Sequence, residues 1–324
     1  MAQQRGTTVR LSYDTESVFK TSPASGTSRI FPYVRESLRM NRNLISSNTI
    51  RSSRNPQMPV RGNRDVAGNI EFELAPQYGL LLKHIFGATV TTGAAPYVHT
   101  YKVGDLPAGM TIEKYFPDLA VPTWFRYNGC KVNSFKVAIK SEGMITASVD
   151  IIGAKETVAT GFGGTFDANP TDRGHTPFDG FECTLLEGGT SLGIGTEVNF
   201  SIDNGLDSSN YVIDGTGERY SMPEGFAKVT GNVKCLFDSV AMYNKAVAHS
   251  ETSLVVTLAK GTGAGTIGNE KMIFYFDEMV FKPAAPVVEG PTGLFVSLDF
   301  EAYYGDDADV SACRVVLMDS LATY

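Results

Sequence analysis

The sequence predicts a mainly β protein made of two tandem antiparallel β-sandwich or barrel-like domains, each with a short flanking helix. Three observations support this prediction. Segments of the first half recur in the same order in the second half. Apolar and polar residues alternate along several segments, as they do in half-buried strands. The chain also contains 33 Gly and 15 Pro and few strongly helical stretches, which favours strands joined by turns.

The internal repeat consists of three matched pairs of segments. The pairs are residues 44–48 with 206–210, 66–72 with 229–235, and 148–154 with 297–303. Their spacings are 162, 163 and 149 residues, so a one-residue insertion and a later deletion of about 14 residues would relate the two copies. Similar strand patterns recur in any β protein, but three matches in the same order favour a duplication.

In the first copy, residues 66–74 alternate as a strand and are followed by a helix predicted over residues 76–86. Pro76 suits the first helical turn and Gly87 suits the stop. In the second copy, residues 229–237 form the matching strand. They precede a helix over residues 240–248, for which Ser239 is the predicted cap. The closing strands are predicted at residues 144–152 and 294–304.

The boundary between the copies is predicted in a turn-rich segment with little periodicity. Residues 1–159 form the first domain, 160–177 the linker and 178–324 the second domain. The linker aromatics Phe162 and Phe166 are candidates for packing onto a neighbour.

The formal net charge is −7, which disfavours tight binding of nucleic acid. The charge is unevenly distributed. Residues 1–160 hold 19 Lys and Arg against 12 Asp and Glu, a net of +7, and residues 161–324 hold 9 against 23, a net of −14. Drift in composition between two domains gives this pattern, and so does an assembly in which halves of opposite sign meet.

The four cysteines, Cys130, Cys183, Cys235 and Cys313, are scattered without the spacing of a metal or redox motif. They indicate reduced thiols in a cytosolic product. The N-terminus lacks the apolar run of a signal peptide. No stretch of about 18 apolar residues occurs, so no membrane span is expected.

Sequence motifs that resemble chemical sites have better structural explanations. Residues 263–268 match G-x-G-x-x-G, but the residues after them are strand-like, whereas a dinucleotide site needs a helix there. The four histidines form no metal-ligand cluster. The acidic run 306–309 lacks the spacing of an EF-hand loop, and an acidic turn is the preferred interpretation. No catalytic motif is present, so the sequence predicts neither an enzyme nor a cofactor.

The first copy resembles the tail tube (major tail) proteins of long-tailed phages. The resemblance rests on residues 11–21, 36–38 and 50–54, then on residues 68–74 before 78–82 and Phe86-Gly87. The second half departs from this pattern, because Ala241-Met242-Tyr243 stands where the first copy has Tyr78-Gly79-Leu80. The whole chain is therefore interpreted as a form with two tandem tube domains.

The resemblance implies a structural virion protein that self-assembles into stacked rings, forming a tube through which viral DNA is ejected without specific binding. Six tube domains usually surround the channel. Three chains with pseudo-sixfold symmetry would therefore close a ring, or six chains if only the first copy lines the channel. Other tail proteins would bind the tube ends. The expected location is the virion tail, after assembly in the host cytoplasm.

A long polar stretch precedes the Gly-led strand in each copy, at residues 51–65 and 214–228. Loops of this length are uncommon unless they have a role. A mobile solvated loop is one interpretation, and an arm that becomes ordered on a neighbouring subunit is the other. The resulting hypothesis is that basic residues of the first stretch contact acidic residues of the second on a neighbouring copy. These residues are Arg51, Arg54, Arg61 and Arg64 on one side and Asp214, Glu218 and Glu224 on the other.

Two rival functions remain open at this point. The first is a non-catalytic β-sandwich binding module of the adhesin or carbohydrate-binding type, which would show a clustered aromatic platform. Trp124 is the only tryptophan, and Phe125 and Tyr127 flank Arg126, a pattern that favours one strand face. The second is an enzyme with an unrecognised site.

Overall fold

The structure is a computed structural model that describes residues 3–24, 26–161, 166–288, 290–291, 293–305 and 311–324. The fold is mainly β and antiparallel, as predicted. Its strands are β1 (Arg10–Glu16), β2 (Arg29–Ile30), β3 (Arg35–Glu36), β4 (Arg39–Ile45), β5 (Val60–Glu73), β6 (Gly87–Thr92), β7 (Tyr97–Val103), β8 (Gly109–Phe116), β9 (Thr123–Lys140), β10 (Thr146–Gly153), β11 (Lys155–Thr160), β12 (Cys183–Glu187), β13 (Thr190–Ser191), β14 (Gly195–Asp203), β15 (Lys228–Leu236), β16 (Thr252–Ala259), β17 (Lys271–Phe281), β18 (Phe295–Ala302) and β19 (Arg314–Asp319).

Two short α-helices accompany the strands in the described part of the chain. The first, α1 (Gly79–Phe86), follows a 3₁₀ turn at Pro76–Tyr78, which confirms the helix predicted over residues 76–86. The second, α2 (Ala241–Val247), confirms the other predicted helix. Ser239 is not its cap, because the helix begins one residue later than expected and Val240 holds the N-cap position without a side-chain hydrogen bond.

The strands of the first half pair in an order that recurs in the second. Strand β9 is long enough to take part in two layers. Its residues 123–130 pair with β8 and β11, and its residues 131–138 pair with β10. Strand β10 in turn pairs with β5. In the second half β17 pairs with β16, β19 and β18, and β18 pairs with β15. The unit β5–β10–β9 therefore has the same connections as the unit β15–β18–β17.

The Gly-Asn step shared by the two copies has a packing reason. A Cβ atom on Gly68 would lie 2.3 Å from Cα of Leu38, and one on Gly231 would lie 2.4 Å from the ring of Phe300. Real Cβ atoms do not approach so closely, so each copy needs glycine where neighbouring residues approach its strand this closely.

The change in repeat spacing also has a structural counterpart. The hairpin of β6 and β7 separates α1 from β8 in the first half, whereas α2 is followed almost directly by β16 in the second. This additional hairpin pairs with β19, so it links the first half to the second.

The halves meet along two antiparallel joints. Residues 134–140 of β9 pair with residues 203–197 of β14, and β7 pairs with β19. The buried side chains form one cluster that includes Phe135 and Val137 from the first half and Phe200 and Phe274 from the second. The sheet and the core thus continue across the middle of the chain, and the division at residues 160–177 stays a prediction.

Candidate assembly surfaces

One face of the sheet that crosses both halves is lined mainly by polar side chains. Along β5, β10, β9, β14, β15 and β18, alternate residues are buried, so the others point away from the core. An open depression of about 760 Å³ lies on this face. Its outward-pointing lining includes Glu71, Lys136, Ser148, Asn199, Ser201, Thr230, Asn232 and Asp299. The face therefore belongs to both halves of the chain.

A matched pair of hydrogen bonds marks this face. Asn69 Nδ2 donates to Asp150 Oδ1 over 2.7 Å, and Asn232 Nδ2 donates to Asp299 Oδ1 over 2.7 Å. Burial would raise the pKa of Asp150, but hydrogen bonds from Ser134 and Asn69 and the charge of Lys136 lower it overall. The carboxylate of Asp150 is therefore ionised at neutral pH.

Basic groups on this face have acidic neighbours. Lys136 Nζ lies 3.5 Å from Asp150 Oδ2, and Lys282 Nζ lies 3.5 Å from Glu301 Oε2. A lysine beside a carboxylate has less charge available for a phosphate. The surface is polar without being a basic stripe of the kind that grips nucleic acid.

A long hairpin extends from the first half. Its strands are β4 and the first residues of β5, joined by residues 46–59, which lie outside helices and strands. The expectation of an irregular stretch over residues 51–65 is wrong for residues 60–65, because they pair with β4 and extend β5. Large apolar side chains are exposed here, with Ile50 97% and Met58 91% accessible.

The corresponding connection of the second half, residues 204–227, folds back onto the first half of its own chain. The amide of Arg64 donates to the carbonyl of Gly217 over 2.8 Å, and Tyr211 Oη donates to the carbonyl of Arg64 over 3.0 Å. This connection is therefore fixed to the base of the β4–β5 hairpin.

Arg219 holds the connection in place, a role that sequence reasoning did not assign. Only 4% of it is exposed. Its Nη1 donates to the carbonyls of Val66 (3.2 Å) and Gly153 (2.6 Å), and its Nη2 pairs with Asp65. An arginine in a charged loop gives no sequence signal that it will be buried in another segment.

The structure brings some of the predicted contact residues together, but within one chain. Arg64 Nη1 lies 3.1 Å from Glu218 Oε1, and Lys20 Nζ lies 3.8 Å from Glu218 Oε2. Glu224 lies 3.2 Å from Lys131 Nζ and also accepts from the amide of Leu106.

The other predicted contact residues lie apart from these pairs. Asp214 accepts from the amide and hydroxyl of Thr216, and these bonds lower its pKa. Arg51, Arg54 and Arg61 are exposed on the β4–β5 hairpin, where Arg51 Nη2 donates to the carbonyl of Asn55 over 3.3 Å.

The Gly-rich motif at residues 263–268 lies in the connection between β16 and β17, so a strand and not a helix follows it. Gly263, Gly265 and Gly268 have φ values of +65°, +82° and +78°, a region that favours glycine. The acidic run 306–309 lies outside the described residues. In the described part of the chain, no three His, Cys, Asp or Glu side chains are grouped to hold a metal, and no helix could cross a membrane.

The candidate aromatic platform is buried. Trp124 is 2% exposed and stacks on Tyr115 with ring centroids 4.6 Å apart, and Tyr127 is also 2% exposed. This strand therefore presents no platform for a sugar. Phe166 packs beneath Arg126 of its own chain, 5.6 Å from the guanidinium carbon to the ring centroid, and Phe162 lies outside the described residues.

A mainly antiparallel β chain with a polar sheet face that crosses both halves has the features of a structural protein. The family model of phage tail tube proteins matches residues 6–302. The chain belongs to this family, so it has a structural role in a phage tail tube and is a component of the virion tail. No curated protein matches the chain.

Proposed function

We propose that copies of this chain associate edge to edge into rings, that the rings stack into a tube, and that the tube conducts viral DNA during ejection. The polar face that crosses both halves lines the channel. Other tail proteins bind the ends of the tube. The tube assembles in the host cytoplasm before the tail becomes part of the virion.

The continuity of the polar face across the two halves is the observation that carries this proposal. The unit around Asn69 and Asp150 and the unit around Asn232 and Asp299 stand side by side in one sheet, joined by β9 and β14. A channel built from such units presents hydrogen-bonding groups and carboxylates to DNA. It contains few uncompensated cations, so DNA passes without specific binding.

The same observation supports three chains in each ring. Both halves contribute to one polar face, so each chain supplies two of six wall units and the ring has pseudo-sixfold symmetry. A ring of six chains would need the second half to lie outside the channel, which is harder to reconcile with this shared face. Residues 1–159 and 178–324 would then be two tube domains joined by residues 160–177.

The β4–β5 hairpin is proposed to contact a neighbouring copy. Arg51, Arg54 and Arg61 are exposed beside Ile50 and Met58, and this mixture of basic and apolar groups suits a surface covered on assembly. Asp214 is the main proposed partner, and Glu218 and Glu224 contribute less because Arg64 and Lys131 of their own chain already pair with them. Arg64 contributes less, because Glu218 of its own chain already pairs with it.

Electron microscopy of the purified chain tests the proposal. We expect rings or tubes in negative stain, with three chains in each ring in averaged cross-sections. A protein that stays monomeric at high concentration under all conditions tried would contradict it. Substitution of Ser148 and Asn199, which line the same polar face, by lysine should slow DNA release from particles without preventing tube formation, because it makes the channel wall basic.

A further inference from the structure

The joint between the two halves provides a template for the joint between chains. Within the chain, Lys136 of β9 lies opposite Ser201 of β14, and Ser134 lies opposite Asp203. Strand β14 is the outermost strand of the second unit, because its other neighbour is β15. The internal joint thus connects the last strand of one unit to the first strand of the next.

Strands β3 and β4 hold the place of β14 in the first unit. Arg39 lies opposite Ala67 on β5, and Ser201 lies opposite Thr230 on β15. Ala67 and Thr230 are equivalent, because each stands two residues before the Asn of its unit. Residues 35–41 therefore correspond to residues 197–203, yet no described strand pairs with them on the side away from β5.

Residues 282–288 hold the place of residues 134–140 in the second unit. The amide of Lys282 donates to the carbonyl of Asp299 over 2.7 Å, at the position where Ser134 lies opposite Asp150. Beyond Lys282 these residues form no strand, and Val287 and Val288 are 71% and 72% exposed. The last strand of the second unit is thus incomplete in the single chain.

We propose that residues 35–41 of one chain pair antiparallel with residues 282–288 of the next, so that the joint between chains repeats the joint within a chain. This inference rests on the proposed ring. In the register of the internal joint, Arg39 lies opposite Ala284 and Arg35 lies opposite Val288. The occupant of each edge is a second copy of this chain, and on pairing the Leu38 amide exchanges the Glu36 carboxylate of its own chain for the carbonyl of Ala285.

The backbone of residues 282–288 suits this pairing. The Lys282 amide faces β18, so in an extended strand the amides of Ala285 and Val287 face the other way, toward the neighbour. Pro286 has no amide to offer β18, which explains why this segment does not close onto its own sheet. Pro283 lacks an amide on the side that faces the neighbour. Two donors, the amides of Ala285 and Val287, remain on that side.

Charge also favours this pairing. The edge of the first unit carries Arg35, Arg39 and Arg42, and the second unit presents Asp299 and Glu301 next to residues 282–288. In the internal joint the signs are reversed, because Lys140 on β9 lies opposite Glu197 on β14 and Lys136 lies opposite Ser201, two residues before Asp203. Each joint therefore brings opposite charges together, while pairing of two identical edges would bring like charges together.

Cysteine cross-linking tests the inference. The double variant Arg39→Cys with Ala284→Cys should form disulfides between chains under mild oxidation, because directly opposed side chains on neighbouring strands are within reach of a disulfide. On a non-reducing denaturing gel we expect a ladder that ends at the number of chains in a ring, which is three. Lys136→Cys with Ser201→Cys is the matched control and should form a disulfide without increasing the mass. Arg39→Cys alone should give no ladder.

The possible outcomes separate this inference from the proposed function. If rings or tubes form and the control pair oxidises, but the test pair gives no ladder, the pairing is wrong and the tube proposal stands. If no ring or tube forms from the unmodified chain, the tube proposal itself fails. A second measurement covers the case in which the cysteines block assembly. In the unmodified chain, amide exchange of residues 35–45 and 282–288 should slow at least tenfold on assembly, and unchanged exchange there would overturn the inference.

Discussion

Asn69 and Asp150 lie opposite each other on β5 and β10, and Asn232 and Asp299 repeat this relationship on β15 and β18 with the same 2.7 Å hydrogen bond. The two pairs define equivalent positions in the two halves of the chain. They also align the halves in space, because both pairs lie on the polar face of one sheet. Because the halves are aligned in this way, the internal joint provides a template for the proposed joint between chains.

The glycine before each of these asparagines should be intolerant of a side chain. We expect Gly68→Ala to lower the free energy of unfolding by about 1–3 kcal/mol, because the new methyl group would overlap the backbone of Leu38. Urea denaturation measures the change. Gly193→Ala is the control, since nothing lies within 4 Å of a Cβ atom there, and an equal loss in both variants would contradict the packing explanation.

Arg219 should be required for the position of residues 204–227. Arg219→Ala leaves the carbonyls of Val66 and Gly153 without this donor, and we expect a loss of about 2–4 kcal/mol in unfolding free energy. Limited proteolysis should also cut residues 204–227 faster than in the unmodified chain. Arg61→Ala, at an exposed position, should change neither property, and a protected connection in Arg219→Ala would disprove the role of this side chain.

The exposed arginines of the β4–β5 hairpin should act in assembly and not in folding. Reversal of Arg51, Arg54 and Arg61 to Glu should prevent tube formation, because several exposed charge contacts repeated around a ring add up even though each contributes only about 0–1 kcal/mol. The monomer should keep its melting temperature. Adding Arg64→Glu should also destabilise the monomer, since Arg64 pairs with Glu218 in the same chain.

Controls for the hairpin prediction come from elsewhere in the chain. Arg5→Glu with Arg173→Glu changes the net charge in the same direction at positions outside the hairpin. This variant should still form tubes. Tubes of normal yield from the Arg51, Arg54 and Arg61 variant would refute the proposed contact.

His84 should make the fold sensitive to acid. Burial lowers the pKa of His84 to about 3, and the charges of Lys83 and Lys131 add to the effect. The unfolded chain therefore takes up a proton near pH 6.5 that the folded chain excludes, and stability falls as pH falls from about 6.5 toward 3, by up to about 1.4 kcal/mol for each pH unit. His84→Gln should flatten this part of the stability profile. An unchanged slope between pH 6.5 and 4 would show that other groups cause the acid sensitivity.

Local patterns were sufficient to predict several elements. Alternation of apolar and polar residues predicted β5, β10, β15 and β18, and Pro76 and Gly87 bracketed the first helix, because these signals depend on neighbours in the sequence. The prediction of Ser239 as the N-cap was wrong, because the first residue of α2 depends on the backbone conformation before the helix. Val240 holds the N-cap position. The paired residues 60–65 were missed because their partners on β4 lie across a loop.

The candidate contact residues also differ in how far sequence could identify them. Charge identified Arg64 and Glu218 as residues that meet, but sequence cannot tell a contact within a chain from one between chains. Arg219 was passed over because its burial depends on Val66 and Gly153, which are distant in sequence.

Composition, alternation and repeated segments are properties of the linear chain, so they were enough to predict that this protein is mainly β, that segments of its first half recur in the second, and that it resembles tail tube proteins. The features that sequence could not predict are the one sheet, the one core and the one polar face that the two halves share. Those features depend on the pairing of β9 with β14 and of β7 with β19, and strand pairing over such distances is set by packing of the whole chain.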